Sequence, residues 1–444
     1  MKYKIINILS SIVIVVITIS SANGQTNPNP NAALDAFILN EMNTEHFPGM
    51  ATVMVKDNKI VWIKSYGFAD VANSIPVADT TVFLLASVSK LFTGTAAMQL
   101  YENNAIDLND DVNLYLPWTL QIPGFSTSPV TFKQLMTHTS SIKDNYTAMI
   151  NYYDYPDPSI TLADCMQRYF STSGTDYNAT DNFLSNAPAT VYEYSNMATA
   201  LNGYLVERVT GMPFDQYCNI NIFDKLCMNK TSWFFADFDS ADVARPYQYS
   251  GGNYIPYAHY GFADYPDGQL RSNVTDIANF MIAYLNDGTF GSNSILSSSS
   301  VNQMWTQQVP TLDTTQGLNW YTAELYHSGD TTQFWGHSGG ESGVSTNIFV
   351  DPISNIGICI LTNGEGNATA VFSELFDYAL TLNSVTGITP SCLSTNISEI
   401  NPSVKDKKLI KIIDVLGRET PFKTNTLLIK IYSDGSADKI FIME

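Results

Sequence analysis

Ser87 and Lys90 stand three residues apart in the stretch Leu84–Asn104, LLASVSKLFTGTAAMQLYENN. On a helix that spacing puts both side chains on one face, about 5–6 Å apart at Cβ. A serine hydroxyl is a weak nucleophile at neutral pH and needs a neighbour to take its proton. A lysine can do so when burial or another cation lowers its own pKa. The rest of the stretch is apolar: Val88, Leu91, Phe92, Ala96, Ala97, Met98 and Leu100 leave little polar surface. Gly94 costs helix stability and, with Ala96 and Ala97, implies close packing by neighbouring elements. Lys90 is thus an ammonium in an apolar helix, costly without a task or a partner. The plain alternative is a lysine at the rim of a core helix, because a Ser-x-x-Lys pair arises easily by chance.

Two further short motifs follow in order, after intervals of just over 100 and about 140 residues. Tyr194-Ser195-Asn196 enters a helix, and His337-Ser338-Gly339-Gly340 sits on a Gly-rich strand edge, Trp335 to Gly343. Each has an ordinary explanation. The first is an aromatic packed beside a helix N-cap, and the second a strand-end turn. Taken together and in this order, the three motifs say more than any one of them.

The elements that must position these motifs can be read from periodicity and punctuation. A helix is expected over Ala32 to Met42. Met50 to Val55 and Lys59 to Tyr66 read as a β-hairpin about Lys56-Asp57-Asn58. Thr346 to Val350 and Ile356 to Leu361 read as a second, about Asp351-Pro352. Helices are expected over Val130 to Met136 with Thr131 as N-cap, Ser195 to Val209 ahead of the stop signal Thr210-Gly211-Met212-Pro213, residues 274–287, and Val371 to Leu382. The pattern from about 140 to 245 is helical and irregular. Sheets join sequence-distant strands, so both hairpins belong in one antiparallel sheet with helices on its faces and an inserted helical subdomain, roughly 105–245. The fold class is α/β (α+β).

Composition narrows the function. The chain has 444 residues, 45% apolar and only 14% charged, with net charge −20. That acidity argues against nucleic acid as a partner. Five cysteines, with no C-x-x-C, make neither a disulfide scaffold nor a zinc signature. Cys218 and Cys227 are near enough in sequence to pair, which the sequence leaves open. Lys2 and Lys4, the apolar run Ile5 to Ile19 and the small residues Ser20 to Gly24 read as a secretory signal peptide, residues 1–24, with an uncleaved anchor as the alternative. No other apolar run is long enough to span a membrane after its removal. The protein is expected to be secreted or cell-surface, exported through the periplasm. His46, His138, His259 and His327 read as structural. The aromatic run Tyr247 to Tyr265 suits a cleft wall or loop packing equally, and Asp264, Tyr265 and Asp267 carry no assigned role.

The ordered motifs, with Phe47-Pro48-Gly49 and Leu135-Met136-Thr137-His138-Thr139-Ser140-Ser141, resemble the serine β-lactamase and D-alanyl-D-alanine carboxypeptidase superfamily. The likeness is to its class C-like branch, which also holds esterases and D-amino-acid peptidases, and it covers residues 32–385. The resemblance implies Ser87 as acyl-forming nucleophile, Lys90 holding and tuning its proton, and Tyr194 as general base and later acid. It implies Asn196 as donor to the substrate amide, with backbone N–H groups of Ser87 and Gly340 as oxyanion hole. His337, Ser338 and Gly339 fall in the substrate-binding third motif. A phenol with a pKa near 10 needs positive charge close by to act as a base, which Lys90 can supply. His337 stands where many relatives carry Lys, and a mostly neutral imidazole weakens carboxylate binding. Ser338 stands where Thr is usual. The implied activity is hydrolysis of a D-alanyl peptide, β-lactam or small ester or amide. No metal or organic cofactor is implied.

The tail differs in charge. From Val404 it holds eight basic residues against six acidic, leaving 14 and 36 in the rest. Residues 386–403 read as a Ser/Thr/Pro/Asn linker and 404–444 as a small all-β module. Its strands are expected at Leu409 to Val415, Thr426 to Tyr432 and Lys439 to Ile442. Asp414-Val415-Leu416-Gly417-Arg418 and the Leu428 to Gly435 stretch are similar to C-terminal sorting domains of type IX secretion in Bacteroidetes, which implies the secretion machinery as a partner. The rival reading from another class is a non-catalytic surface-binding protein that keeps the fold.

Overall fold

A computed structural model describes residues 26–327, 330–392, 409–414, 420, 428–432 and 437–440. The expected signal segment lies outside these residues, as does most of the linker. The chain divides into two compact units, residues 1–391 and 392–444.

The first unit is built on a seven-stranded antiparallel sheet. Its strands are β1 (Gly49–Lys56), β2 (Lys59–Asp70), β3 (Ile75–Pro76), β4 (Tyr321–His327), β5 (Asp330–Glu341), β6 (Val344–Asp351) and β7 (Ile356–Thr362), in the spatial order β4-β5-β6-β7-β1-β2-β3. The two expected hairpins join through β1 and β7, from Met50 opposite Thr362 to Lys56 opposite Ile356. The side-chain period of two divides β1 between two cores. Met50 and Met54 point to one face, covered by α1 (Ala32–Thr44) and, from the far end of the chain, α7 (Thr369–Thr381). Ala51, Val53 and Val55 point to the other and larger core. Thr52 shares the face of the two methionines, and its hydroxyl is satisfied there, accepting from Trp62 Nε1 at 3.0 Å and donating to the Lys64 carbonyl at 3.1 Å.

The Gly-rich third motif lies at the end of β5, which is flanked by β4 and β6. Strand β4, Tyr-Thr-Ala-Glu-Leu-Tyr-His, lacks the Val/Ile enrichment that marks its neighbours and was not expected.

The nucleophile stretch is also more divided than one helix. A 3₁₀ turn covers Ala86–Val88, and α2 runs Ser89–Glu102 with every residue from Ser89 to Leu100 buried. Gly94 is required by close approach, since a Cβ there would press on Asn319. Helix α3 (Phe132–Met136) starts with a complete capping box, Thr131 with Gln134. In the inserted region α4 (Leu162–Phe170) and α5 (Asn196–Thr210) stand among short helices and loops. Ser195 caps α5, and Gly211 ends it in the left-handed region at φ 69°. Helix α6 (Val274–Leu285) packs its apolar residues into the larger core. Among the described residues no helix is long and apolar enough to cross a membrane. Cys165, Cys218 and Cys359 are buried free thiols, so Cys218 does not pair with Cys227, which is itself half of a disulfide.

The second unit shows a three-stranded antiparallel sheet of β8 (Leu409–Asp414), β9 (Leu428–Tyr432) and β10 (Ala437–Ile440), with β9 in the centre. Residues 415–419 and 433–436, between these strands, lie outside the described residues.

Candidate active site

Ser87 lies in the turn before α2, half-buried. The residue ahead of it, Ala86, has φ 49°, a left-handed conformation that costs a side-chain-bearing residue energy. The surroundings hold it there. Leu85 N–H donates to the Leu270 carbonyl at 2.8 Å, and Thr346 Oγ1 donates to the Leu85 carbonyl at 2.6 Å. Strand β5 packs directly on this turn at Gly339, where a Cβ would fall on the Leu85 carbonyl oxygen and on Thr346 Oγ1. This explains the glycine: only a bare backbone lets the third motif approach the first. At Gly340 a Cβ would meet nothing within 4 Å. Ser87 also sits at the N-terminal, electropositive end of α2, which favours negative charge on its oxygen.

Lys90 is fully buried, and its Nζ donates to Ser87 Oγ at 3.0 Å, Asn196 Oδ1 at 2.7 Å and the Asp267 carbonyl at 2.7 Å. An ammonium has three protons, and these are three acceptors. Burial pushes the charged form down, but the Tyr194 and Asp267 oxygens outweigh it and hold Lys90 above the usual lysine value. This corrects one route considered from the sequence, in which a lowered lysine pKa makes Lys90 the base. The amine instead stays charged and donates to the serine oxygen.

Tyr194 comes from the end of the loop before α5. Its ring lies 5.1 Å from Lys90 Nζ, 4.5 Å from the His138 ring and 6.2 Å from the His337 ring, and the residue is 36% exposed. The phenol therefore has the neighbouring positive charge it needs. Asn196, the first residue of α5, spends its Oδ1 on Lys90, which leaves its amide N–H₂ as the donor end.

His337 is buried, and its Nδ1 donates to the Ser338 carbonyl at 2.5 Å, which leaves Nε2 as acceptor. Burial, reinforced by the Lys90 charge, pushes its pKa down to about 3, so the imidazole is neutral at any ordinary pH. Ser338 is exposed. Its Oγ lies 2.7 Å from the Tyr321 hydroxyl, which also accepts from the Ser338 N–H at 3.0 Å. The structure thus gathers Ser87, Lys90, Tyr194, Asn196 and the His337–Gly340 run at one place.

Several residues there were not singled out from the sequence. Asp144 accepts from Ser195 Oγ at 2.9 Å, Asn196 N–H at 2.9 Å and Met197 N–H at 3.1 Å, and so fastens the start of α5. It follows closely on the Leu135 to Ser141 stretch, but an isolated Asp in a polar loop carries no signal of its own. His138, read as structural, accepts the Ser195 N–H at 3.2 Å through Nδ1 and walls Tyr194. Burial and the Lys90 charge hold its pKa well below normal. Tyr321 comes from the unexpected β4, and Asp267 supplies the carbonyl that orients Lys90. The Tyr247 to Tyr265 run does reach a cleft: Tyr257, Tyr260 and Phe262 line it with Ser87 and Gly340, in a volume of about 780 Å³. A second cavity of about 490 Å³ lies beside Ser338–Gly340, between β4, β6 and the start of α7. Among the described residues no group of three His, Cys, Asp or Glu is placed to hold a metal ion.

A serine, a buried ammonium and a tyrosine gathered beside the antiparallel sheet and its helices define a class of protein, and a family model confirms it: residues 34–382 match Beta-lactamase, and the chain belongs to that family. Among curated relatives, Protein flp of Staphylococcus aureus (strain NCTC 8325 / PS 47) is 24% identical over 335 residues, 74% of this chain and 62% of its own. The chain thus spans about 62% of the length of the first of these relatives. Penicillin-binding protein 4 of Amycolatopsis lactamdurans is 26% identical over 338 residues, 74% of this chain and 84% of its own. Two solved structures share the fold. The octameric penicillin-binding protein homologue from Pyrococcus abyssi has TM-score 0.63 and 22% identity, covering 92% of this chain and 89% of its own. The penicillin binding protein from Bacillus halodurans has TM-score 0.62 and 23% identity, covering 79% of this chain and 100% of its own.

Proposed function

We propose that this protein is a serine hydrolase working through a covalent acyl-enzyme on Ser87. Ser87 Oγ attacks the substrate carbonyl carbon while Tyr194, beside the Lys90 charge, takes its proton. Backbone N–H groups of Ser87 and Gly340 hold the resulting oxyanion. The intermediate collapses, the carbon–leaving-group bond breaks, and Tyr194 returns the proton to the leaving group. Water then repeats the sequence on the acyl-enzyme. Asn196 N–H₂ orients the substrate amide or ester. The observation that carries this reading is the three-way anchoring of Lys90 Nζ, with Ser87 Oγ at 3.0 Å as one acceptor, beside an open cleft.

Candidate substrates are a D-alanyl peptide, a β-lactam or a small ester or amide. Two relatives are named for penicillin binding, which favours the first two. The neutral His337 favours the third, because a carboxylate gains no ion pair from it. A fluorophosphonate probe and a fluorescent penicillin test the proposal. Labelling that disappears in Ser87→Ala supports it, and well-folded protein that no acylating probe labels refutes it. Turnover of nitrocefin, p-nitrophenyl esters and D-alanyl-D-alanine peptides then ranks the substrates. We further propose that residues 404–444 direct export by the type IX route, placing the mature enzyme outside the cell or on its surface. The basic charge of the tail and its Asp-x-x-Gly-Arg run support that reading.

A further inference from the structure

The cleft that opens from Ser87 is lined by carboxyl groups: Asp264, Asp267 and Glu341 line it, and among the described residues no lysine or arginine does. The two aspartates are 2% and 5% exposed, on the cleft floor. Asp264 Oδ1 is buried and has no hydrogen-bond partner among the described residues. A buried carboxyl oxygen left without a donor is costly, and such atoms are rare in folded proteins. Glu341 is held in place at the rim, Oε2 accepting from Tyr153 O–H at 2.9 Å and Oε1 from Ser342 N–H at 2.9 Å. Lys90 cannot serve, because its three protons are already directed to Ser87, Asn196 and the Asp267 carbonyl. Aromatic residues share the lining: Tyr146 and Tyr155, 71% and 67% exposed, and Tyr257. Carboxyl and aromatic groups in one cleft are surroundings that suit an organic cation.

We infer that this cleft is an ammonium-binding subsite: the acyl half of the substrate carries a protonated amine that donates to Asp264 and is flanked by Asp267 and Glu341. The assignment rests on the hydrolase reading, since the acyl half is the part bonded to Ser87. Burial, with the charges of Asp144 and Glu341 adding to it, pushes Asp264 up to about 7 against its own backbone N–H and a side-chain hydrogen bond with Asp267. An arriving ammonium supplies a donor to Oδ1, the oxygen that this pairing leaves unmatched. On the other side of Ser87, neutral His337 offers no complementary site for an anion.

The test uses the full mature chain and three p-nitrophenyl esters of matched length: 6-aminohexanoate, heptanoate and the monoester of adipate. At pH 8 the amino ester is expected to exceed the neutral one in kcat/KM by about tenfold, the size of one charge-assisted hydrogen bond, and the carboxylate ester to be slowest. The amine-to-neutral ratio is expected to fall toward one in Asp264→Asn and to drop in Glu341→Gln, whose half-exposed side chain keeps folding intact. Equal rates on the amine and neutral esters overturn the subsite and leave the hydrolase standing. Absence of both turnover and fluorophosphonate labelling overturns the hydrolase and the subsite together. In protein that labels but turns over none of the esters, hexylammonium slowing the labelling no more than hexanol overturns the subsite alone.

Discussion

Lys90 Nζ lies 3.0 Å from Ser87 Oγ and donates to it, one of the three acceptors that take its protons. Its positive charge lowers the cost of an alkoxide on Ser87. Replacing Lys90 with alanine removes that effect. We expect kcat/KM on an activated ester to fall by about 1,000-fold or more, with KM little changed, because the members of such a unit are not additive. Single-turnover kinetics with Ser87→Ala as the floor checks this.

Tyr194→Phe keeps the ring that packs on His138 and removes only the oxygen. The acylation rate is expected to fall by about 100-fold or more, the usual scale of general acid–base catalysis, while the melting temperature stays within a degree or two. A variant with unchanged acylation rate would remove Tyr194 from the mechanism.

Gly339→Ala and Gly340→Ala are neighbours with opposite expected outcomes. At the first, a Cβ collides with Leu85 and Thr346 and must push β5 away from the nucleophile turn. A loss of about 1–3 kcal/mol of stability is expected, as for other overpacked sites, with most of the activity. At the second, the Cβ meets open space, and the fold is expected to persist with the backbone N–H in place. Thermal melts and ester hydrolysis on the pair measure both effects.

Asp264 gives a pH dependence whose sign is fixed. Its pKa is about 7 in the folded chain against an ordinary 3.8. Between those values the folded chain keeps a proton that the unfolded chain releases, so this group makes stability fall as pH rises through that window. Asp264→Asn removes this group's share and leaves that of Asp267, which burial also raises. Relative to the unsubstituted protein, the variant is expected to gain on the order of 2–4 kcal/mol between pH 4 and pH 8, read from urea midpoints at each pH. His337 acts in the opposite direction. Its pKa near 3 against 6.5 makes stability rise as pH climbs from 3 to 6.5.

Removing residues 404–444 is expected to leave hydrolysis by the purified protein unchanged and to strand the protein in the periplasm. Normal export of the shortened chain would refute the sorting role.

The amino-acid sequence by itself determined the β-rich runs that become β1, β2, β6 and β7, the cap at Thr131, and the three ordered motifs. Each depends on neighbours within a few residues, so local pattern is enough to show it. Tertiary structure decided what those motifs do to one another. The charge state of Lys90 follows from Tyr194 and Asp267, both distant from it along the chain. The need for glycine at 339 comes from the Leu85 carbonyl and Thr346, and the neutrality of His337 from burial beside Lys90. Asp144 and Tyr321 were invisible in advance because their spacing repeats nothing; only the packing of α5 and of β4 against β5 gives them partners. Electrostatic and steric effects act through space over a few ångströms, and neighbours at that range are set by the fold rather than by order along the chain.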